Sequence, residues 1–538
     1  MNGDTVTGLI DGLAAAKPND VAVIYDPNDV GVINDPSRIT YGELADMGRR
    51  AATGLRELGV GSGDRVAFWL PNCPAYLALY LGCCRLGAIA VAVNTRFRAA
   101  EVSDILGRSG AKVLAMWPGF RHIDFLGLLD GVDSAALGQL ETLILYDEGE
   151  PASPPPSAVA HCRVVAAADI LTQPPLRENA ATAKTGANIF TTSGTTSAPK
   201  FVLHGQGGVA SHARTVADYF GYATSKGALL QMLPLCGVFG FVQMMAGLAS
   251  GQPTVLTASF DAKTAIDVAA RHNVVNFNAT DDMIQAILDV SDAERPLPNL
   301  RFAGSAAFAT NYAELAARAE ARGVRMTGLY GMSEVQALFA IQPMSLPLRD
   351  RILGGGAMAA NTARARVRDP DSGALLAPGQ AGELELKGPS MMLEYFQNPA
   401  ATAAAFTDDE FLRTGDLAEM TEDGRFIFLQ RMGDVLRLGG FLVSPAEIES
   451  HLQGHPAVDG CQVVGVRTDH GDKPVGFVIS AAGAAFDEDA LRRHCLDRLA
   501  RFKAPVRIFP LDEFPTTKSP NGFKIQRAAL RDMAAARL

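Results

Sequence analysis

Between Ile189 and His204 the chain reads IFTTSGTTSAPKFVLH: an apolar lead-in, a run of hydroxyls around one glycine, then Pro199 and Lys200. A short loop of small residues leaving a strand can turn backbone N–H groups and hydroxyls toward a polyphosphate, and a lysine at its end adds a mobile point charge. Thr191, Thr192, Ser193, Gly194, Thr195, Thr196 and Lys200 are therefore candidate phosphate ligands. The spacing is not that of a P-loop, because Thr195, Thr196, Ser197 and Ala198 stand between Gly194 and Pro199. Taken alone, a solvated hydroxyl-rich turn fits the stretch as well as phosphate binding does.

Three further stretches carry usable chemistry. Leu329 to Glu334 reads LYGMSE, where the Tyr330 ring can stack on a base while Ser333 and Glu334 reach a phosphate and Mg²⁺, an ion that prefers oxygen ligands. Thr414-Gly415-Asp416 is expected to be a turn whose carboxylate can accept two hydrogen bonds from a sugar diol. Arg431-Met432-Gly433-Asp434 places an arginine and a carboxylate where the texture of the chain changes, a candidate hinge. Each has a bland counterpart as a polar turn. Near the end, Lys524 follows a Pro/Asn/Gly turn and precedes a helical stretch, like many lysines that only face solvent.

The elements that must position these groups follow from periodicity. Thr40 and Glu43 form a capping-box pair ahead of a helix with apolar residues at helical spacing. Asp64 to Leu70 is expected as a buried strand, Leu77 to Val93 as a buried helix followed by a strand, and Ala99–Ser109 and Val113–Met116 as the next helix and strand. Strand, helix and strand in that order imply a parallel sheet with crossover helices. Glu148 to Val159 is rich in proline and small residues and is expected to be an excursion within one domain. Three strands should end in small residues, Leu229 to Leu235 at Cys236-Gly237, Val274 to Phe277 at Asn278-Ala279-Thr280-Asp281 and Leu300 to Ala303 at Gly304-Ser305-Ala306, and ligands collect beyond such carboxyl ends; Tyr330-Gly331 should stand at a further strand end. From Gly382 short strands joined by Gly and Asp turns predict a β-rich subdomain, followed by a small α+β tail. The expected fold is α/β: an N-terminal domain over 1–433 and a mobile C-terminal domain over 434–538.

At 538 residues and 48% hydrophobic content the chain can bury large cores. Its net charge of −10 argues against nucleic acid as a partner and requires locally placed cations for any anionic substrate. Seven cysteines in no CxxC pair suggest neither zinc nor disulfides, and no basic and apolar leader is visible, so a cytoplasmic protein without a membrane span is expected. Self-association, as a homodimer for example, is left open.

Taken together, TTSGTTSAPK, YGMSE, GEL, RTGD, R-x-x-D-x-x-R-x-GG and the terminal NGFK resemble, in order and from about Thr40 to Arg527, the adenylate-forming superfamily of acyl-CoA synthetases, nonribosomal-peptide adenylation domains and luciferases. The chain looks most like a fatty-acid or aryl-acid CoA ligase. The resemblance implies that a carboxylic acid attacks the α-phosphorus of MgATP to give acyl-adenylate and pyrophosphate, after which the thiol of coenzyme A displaces AMP. It implies that Thr191 to Lys200 hold the β- and γ-phosphates, that Gly304-Ser305-Ala306 and Tyr330 wall the adenine, and that Ser333 meets the α-phosphate and Glu334 the Mg²⁺. Asp416 and Arg431 would hold the ribose, Asp434 would be the hinge, Lys524 would bridge carboxylate and α-phosphate, and Arg437, Gly439 and Gly440 would face the pantetheine path. The acyl pocket would involve Cys236, Gly237, Phe239, Asn278, Gly331 and Met332.

Departures from the family pattern are specific. Ser197 and Phe201 stand for two glycines of the loop, Ser333 for a threonine, Arg437 for a lysine, and Phe523 separates Gly522 from Lys524. Gly237 occupies a place where histidine or an aromatic is common. With no lysine or arginine expected along the acyl path, the substrate should be a medium-chain, branched or aryl monocarboxylic acid. Loading of a free-standing carrier protein is the alternative, and a nucleotide-binding pseudoenzyme a more remote one.

Overall fold

The computed structural model describes residues 4–26, 37–147, 156–192, 199–306, 312–370, 372–432, 436–438, 441–443, 445–468, 471–519 and 522–538. At its N-terminal side lies an eight-stranded sheet centred on Arg65–Trp69, whose parallel neighbours are Ile89–Ala92 and Val113–Met116. Strands covered on both faces need no polar alternation, which is why Val66 to Trp69 is a fully buried apolar run. Thr142–Leu145 and Arg163–Ala166 extend the same sheet in parallel, so the proline-rich stretch between them is an excursion within one domain, with 148–155 outside the described residues.

Three of the helices beside this sheet, Tyr41–Glu57, Pro74–Leu86 and Ala99–Ser109, are those the sequence predicts. Tyr41–Glu57 starts with the expected capping box: the Glu43 amide donates to Thr40 Oγ1 at 3.2 Å and the Thr40 amide to Glu43 Oε2 at 2.8 Å. It crosses Pro74–Leu86 where Gly48 and Gly82 stand. A Cβ at Gly48 would lie 2.7 Å from Leu81 Cβ, and one at Gly82 2.9 Å from the Ala51 backbone, so the crossing depends on both glycines. Arg85, which interrupts the most apolar stretch of the chain, is 3% exposed and paired with Asp11 Oδ2 at 2.5 Å. No helix among the described residues is long and apolar enough to cross a membrane.

A second, thirteen-stranded sheet carries the candidate residues. In its parallel half Val274–Thr280, Phe302–Ala306 and Met326–Met332 are successive neighbours, with Thr280 opposite Ala306 and Ser305 opposite Gly328. Two of the three small-residue strand ends expected from sequence therefore lie side by side, next to the strand that carries Tyr330; the third does not reach Cys236-Gly237, because the strand Ala228–Gln231, parallel to Val274–Thr280, stops at Gln231. Beyond Met332 the sheet turns antiparallel through Gln336–Ile341 and Gly355–Met358 and continues through Phe426–Arg431, Leu412–Met420, Ala381–Lys387 and Arg364–Arg368. The β-rich region is thus an extension of the same sheet. Thr414-Gly415-Asp416 is a segment of the Leu412–Met420 strand and not the turn expected: Gly415 has the left-handed φ of 67° that suggests a turn, yet it sits at an irregularity within the strand, where the register against Ala381–Lys387 shifts between Arg413 and Leu417.

The C-terminal unit has cores of its own around Val443, Ile448, Cys495 and Phe477. Val458–Thr468, Gly471–Ser480 and Arg507–Pro510 form its three-stranded sheet, flanked by helices Pro445–Gln453, Glu488–Arg498 and Arg527–Ala535.

Candidate active site

On the phosphate side, Thr191 and Thr192 end the strand Gly186–Thr192, and Lys200 opens the antiparallel strand Lys200–Gly205 directly opposite Thr192. Ser193, Gly194, Thr195 and Thr196 lie outside the described residues. The Lys200 ammonium sits 4.5 Å from the centre of the Tyr395 ring, and the Tyr395 hydroxyl donates to Glu334 Oε1 at 2.8 Å. Glu334 is 6% exposed, and its carbonyl accepts from the Met392 amide at 2.7 Å. Tyr395, which sequence reasoning missed, thereby joins the cation and the carboxylate. Only an aromatic close to the Asn398-capped helix Pro399–Ala405 marks it in the chain.

On the nucleoside side the Tyr330 hydroxyl donates to Asp416 Oδ2 at 2.7 Å, and its ring meets Phe426 edge-on at 5.0 Å. Asp416 is 4% exposed and lies opposite Arg431 in the strand register. Two residues expected to act together, from stretches separate in sequence, are thus neighbours across one ladder. Gly331 could not be exchanged: a Cβ there would stand 2.6 Å from Ala337 Cα and 2.9 Å from the Leu338 amide nitrogen.

The backbone after Glu334 is strained. Gln336 and Leu338 hold φ of 64° and 62°, in the left-handed region that disfavours side chains, at about 1–3 kcal/mol each. Two buried imidazoles tie this segment down, His204 Nε2 donating to the Ser333 carbonyl at 2.6 Å and His212 Nε2 to that of Ala337 at 2.8 Å. Burial pushes each imidazole pKa down to about 4, against the upward pull of its hydrogen bond. The unfolded chain takes up these protons near pH 6.5 and the folded protein only near 4, so their contribution to stability is complete above pH 6.5 and lost as pH falls through 4. The loss is about 3 kcal/mol per imidazole. Urea midpoints followed from pH 7 to 4.5 should fall more steeply for the native chain than for His212→Gln; equal slopes would show that His212 is not held neutral.

The acyl-side residues gather at the start of the helix Val238–Ser250, with Gly237 at its N-cap position and Cys236 and Phe239 half-buried on either side. A Cβ at Gly237 would have only the Pro234 carbonyl near it, at 3.6 Å, so the position is open. Asn278 forms a floor. Its amide N–H donates to Gln243 Oε1 at 2.6 Å, its Nδ2 to the Tyr222 hydroxyl at 3.1 Å, and its Oδ1 fills the place a Cβ on Gly304 would take. Gln243 and Tyr222 were not foreseen, because nothing local distinguishes a buried amide or phenol from ordinary core. Met332 ends its strand beside Gly331.

Burial raises the Cys236 thiol pKa, and a hydrogen bond from the Thr95 backbone and the field of Arg96 hold the rise to about 11, so a cationic field reaches this side chain. Asp281 lies in the first turn of Asp281–Val290, with Thr280 at the N-cap position. Of the remaining candidates, Arg437 sits in Leu436–Leu438 opposite Leu442, and Lys524 in Gly522–Ile525 opposite Thr517. Asp434, Gly439 and Gly440 lie outside the described residues.

A parallel sheet in which two small-residue strand ends lie together, beside a lysine and a tethered carboxylate, is the build of a nucleotide-using α/β enzyme. The chain belongs to the AMP-binding enzyme family, whose model matches residues 11–396, and the AMP-binding enzyme C-terminal domain matches 447–520. It is 30% identical over 547 residues to sulfoacetate–CoA ligase of Cupriavidus necator, covering 99% of this chain and 100% of that protein. To 4-coumarate–CoA ligase 3 of Oryza sativa subsp. japonica it is 26% identical over 514 residues, 92% of this chain and 87% of that one. Among solved structures, a double mutant of o-succinylbenzoate CoA synthetase from Bacillus subtilis, bound with its product analogue, matches at TM-score 0.81 and 23% identity over 97% of this chain and 98% of that one. The same enzyme in complex with AMP matches at TM-score 0.65 with equal identity and coverage. This protein is an AMP-forming acyl-CoA synthetase.

Proposed function

We propose that the enzyme activates a monocarboxylic acid with a medium-chain, branched or aryl body, acting in the cytoplasm. The observation that carries this reading is the open space at Gly237 beside the half-buried Phe239. Each buried CH₂ contributes about 0.8 kcal/mol, so kcat/KM should rise severalfold per carbon from acetate to about six to eight carbons. Gly237→His should penalise the larger acids most. A pyrophosphate-release screen over straight, branched, aryl and anionic acids, repeated with Gly237→His, tests this; a preference for acetate, or an unchanged chain-length profile in the variant, would overturn it.

Arg96 favours a second reading, an acid with a second anionic group, since a cation whose field reaches Cys236 can hold a charge that the rest of this pocket would leave unpaired. The relative that acts on sulfoacetate supports it. Under this reading Arg96→Ala abolishes activity on the anionic acid, and the same screen distinguishes the two.

The roles proposed for the site residues follow from charge. Two anions must meet at one phosphorus, so cations aimed at the developing charge lower the barrier most. Lys200 and Thr191 to Thr196 hold the outer phosphates, Ser333 the α-phosphate, Asp416 and Arg431 the ribose, and Gly304-Ser305-Ala306 with Tyr330 the adenine. Lys524 brings its charge between carboxylate and α-phosphate. Glu334 fits Mg²⁺: its carboxylate is hard and buried, and Tyr395 occupies Oε1 with a hydrogen bond that fixes its direction. Mg²⁺, when bound, neutralises phosphate charge. For the second step the C-terminal unit turns about Asp434 and presents Arg437, Gly439 and Gly440 to coenzyme A. The higher similarity to the product-analogue complex than to the AMP complex of the same enzyme supports taking the present arrangement as the thioester-forming one.

A further inference from the structure

The two units touch at a buried cluster of charges that the proposed mechanism does not use. Glu101 lies in the first turn of the N-terminal helix Ala99–Ser109. Its Oε2 accepts from the Arg98 amide at 2.7 Å, while Oε1 accepts from the Ala500 amide at 3.1 Å and meets Lys503 Nζ, also at 3.1 Å. Lys503 Nζ lies in turn 2.6 Å from Glu447 Oε1 in the C-terminal unit and 4.8 Å from the centre of the Phe97 ring in the N-terminal one. The Lys503 and Glu101 side chains are each 7% exposed. Such a group is more than a surface ion pair, because removing one member strands the others as buried, uncompensated charge.

We propose that Lys503 is a positioning residue that locks the C-terminal unit onto the Ala99–Ser109 helix for the thioester-forming half of the reaction. The inference rests on taking the present arrangement as the thioester-forming one. Its geometry ties it to this half alone. Ala500 and Lys503 belong to the unit that turns about residue 434, whereas Glu101 and Phe97 do not, so a hydrogen bond, an ion pair and a cation–ring contact must all open before the unit can present Lys524. Burial alone would lower the Lys503 pKa, but the fields of Glu447 and Glu101 and their hydrogen bonds raise it, so the ammonium stays charged. Glu101 serves both the helix start and the lock, through different oxygens.

The test separates the half-reactions in the full-length enzyme, with an acid it accepts. In Lys503→Met, ATP–pyrophosphate exchange should stay within about twofold of the native rate or rise, while thioester formation from supplied acyl-AMP and coenzyme A falls about 10- to 100-fold. Glu101→Gln keeps an acceptor for the Arg98 amide and should show the same split more weakly, and Lys503→Arg should restore most of the thioester rate. Hydrogen exchange of the Ala500 amide should be faster in Lys503→Met. Equal losses in both half-reactions, or no loss in either, would overturn the lock. A native enzyme that releases pyrophosphate but forms no thioester would instead overturn the assigned second step, so the two failures are distinct.

Discussion

Replacing Lys524 by alanine is expected to cut acyl-adenylate formation by about 10²–10³, the usual loss when one preorganised charge is removed from a developing anion. Thioester formation from supplied acyl-AMP should largely survive, because the phosphate–carboxylate encounter is then already past. Lys524 lies on the two-stranded ribbon Thr516–Ser519 and Gly522–Ile525, away from the three-stranded sheet that organises the C-terminal unit, so the melting temperature should hardly move. Pyrophosphate exchange assayed beside thioester formation decides the matter. Unchanged exchange would reject Lys524 and turn attention to Lys518, which faces Phe523 on the partner strand.

Glu334→Gln should lower kcat/KM for ATP by about 10²-fold and raise the Mg²⁺ concentration needed for half-maximal rate. The exchange retains an acceptor for the Tyr395 hydroxyl, so it removes charge while leaving the local geometry in place. Tyr395→Phe makes the complementary change, keeping the charge and losing the tether, and should cost about tenfold. Titration of both variants with Mg²⁺ tells the two contributions apart. A Glu334→Gln enzyme with native Mg²⁺ dependence would show that another carboxylate carries the ion.

Features set by neighbours in the chain were legible in the sequence. The Thr40 and Glu43 box is a matter of three residues, and the strand ends at Thr280, Ala306 and Met332 announce themselves through small side chains and turn residues. What failed was tertiary. Gly415 has a left-handed φ that a turn could use, but whether such a residue makes a turn or a bend within a strand depends on Phe426–Arg431 pairing alongside it. Tyr395 is 61 residues from the carboxylate it holds, and the Ala500 amide 399 from Glu101. Arg96 belongs to a loop whose own sequence says nothing of Cys236. In each case the decisive partner comes from a separate segment of the chain, which no periodicity encodes.

The Tyr395 phenol between Lys200 and Glu334 bears on how the enzyme rests between turnovers. Among the described residues Lys200 makes no ion pair, and its ammonium leans on the face of a ring whose hydroxyl holds the carboxylate. Had lysine and glutamate met directly at this depth, the site would quench itself, and every incoming nucleotide would first have to break a buried pair worth several times the about 0.5–2 kcal/mol of a cation–ring contact. The ring acts as an insulator. It keeps one positive and one negative charge close together yet uncancelled, ready for a ligand that brings the opposite of each.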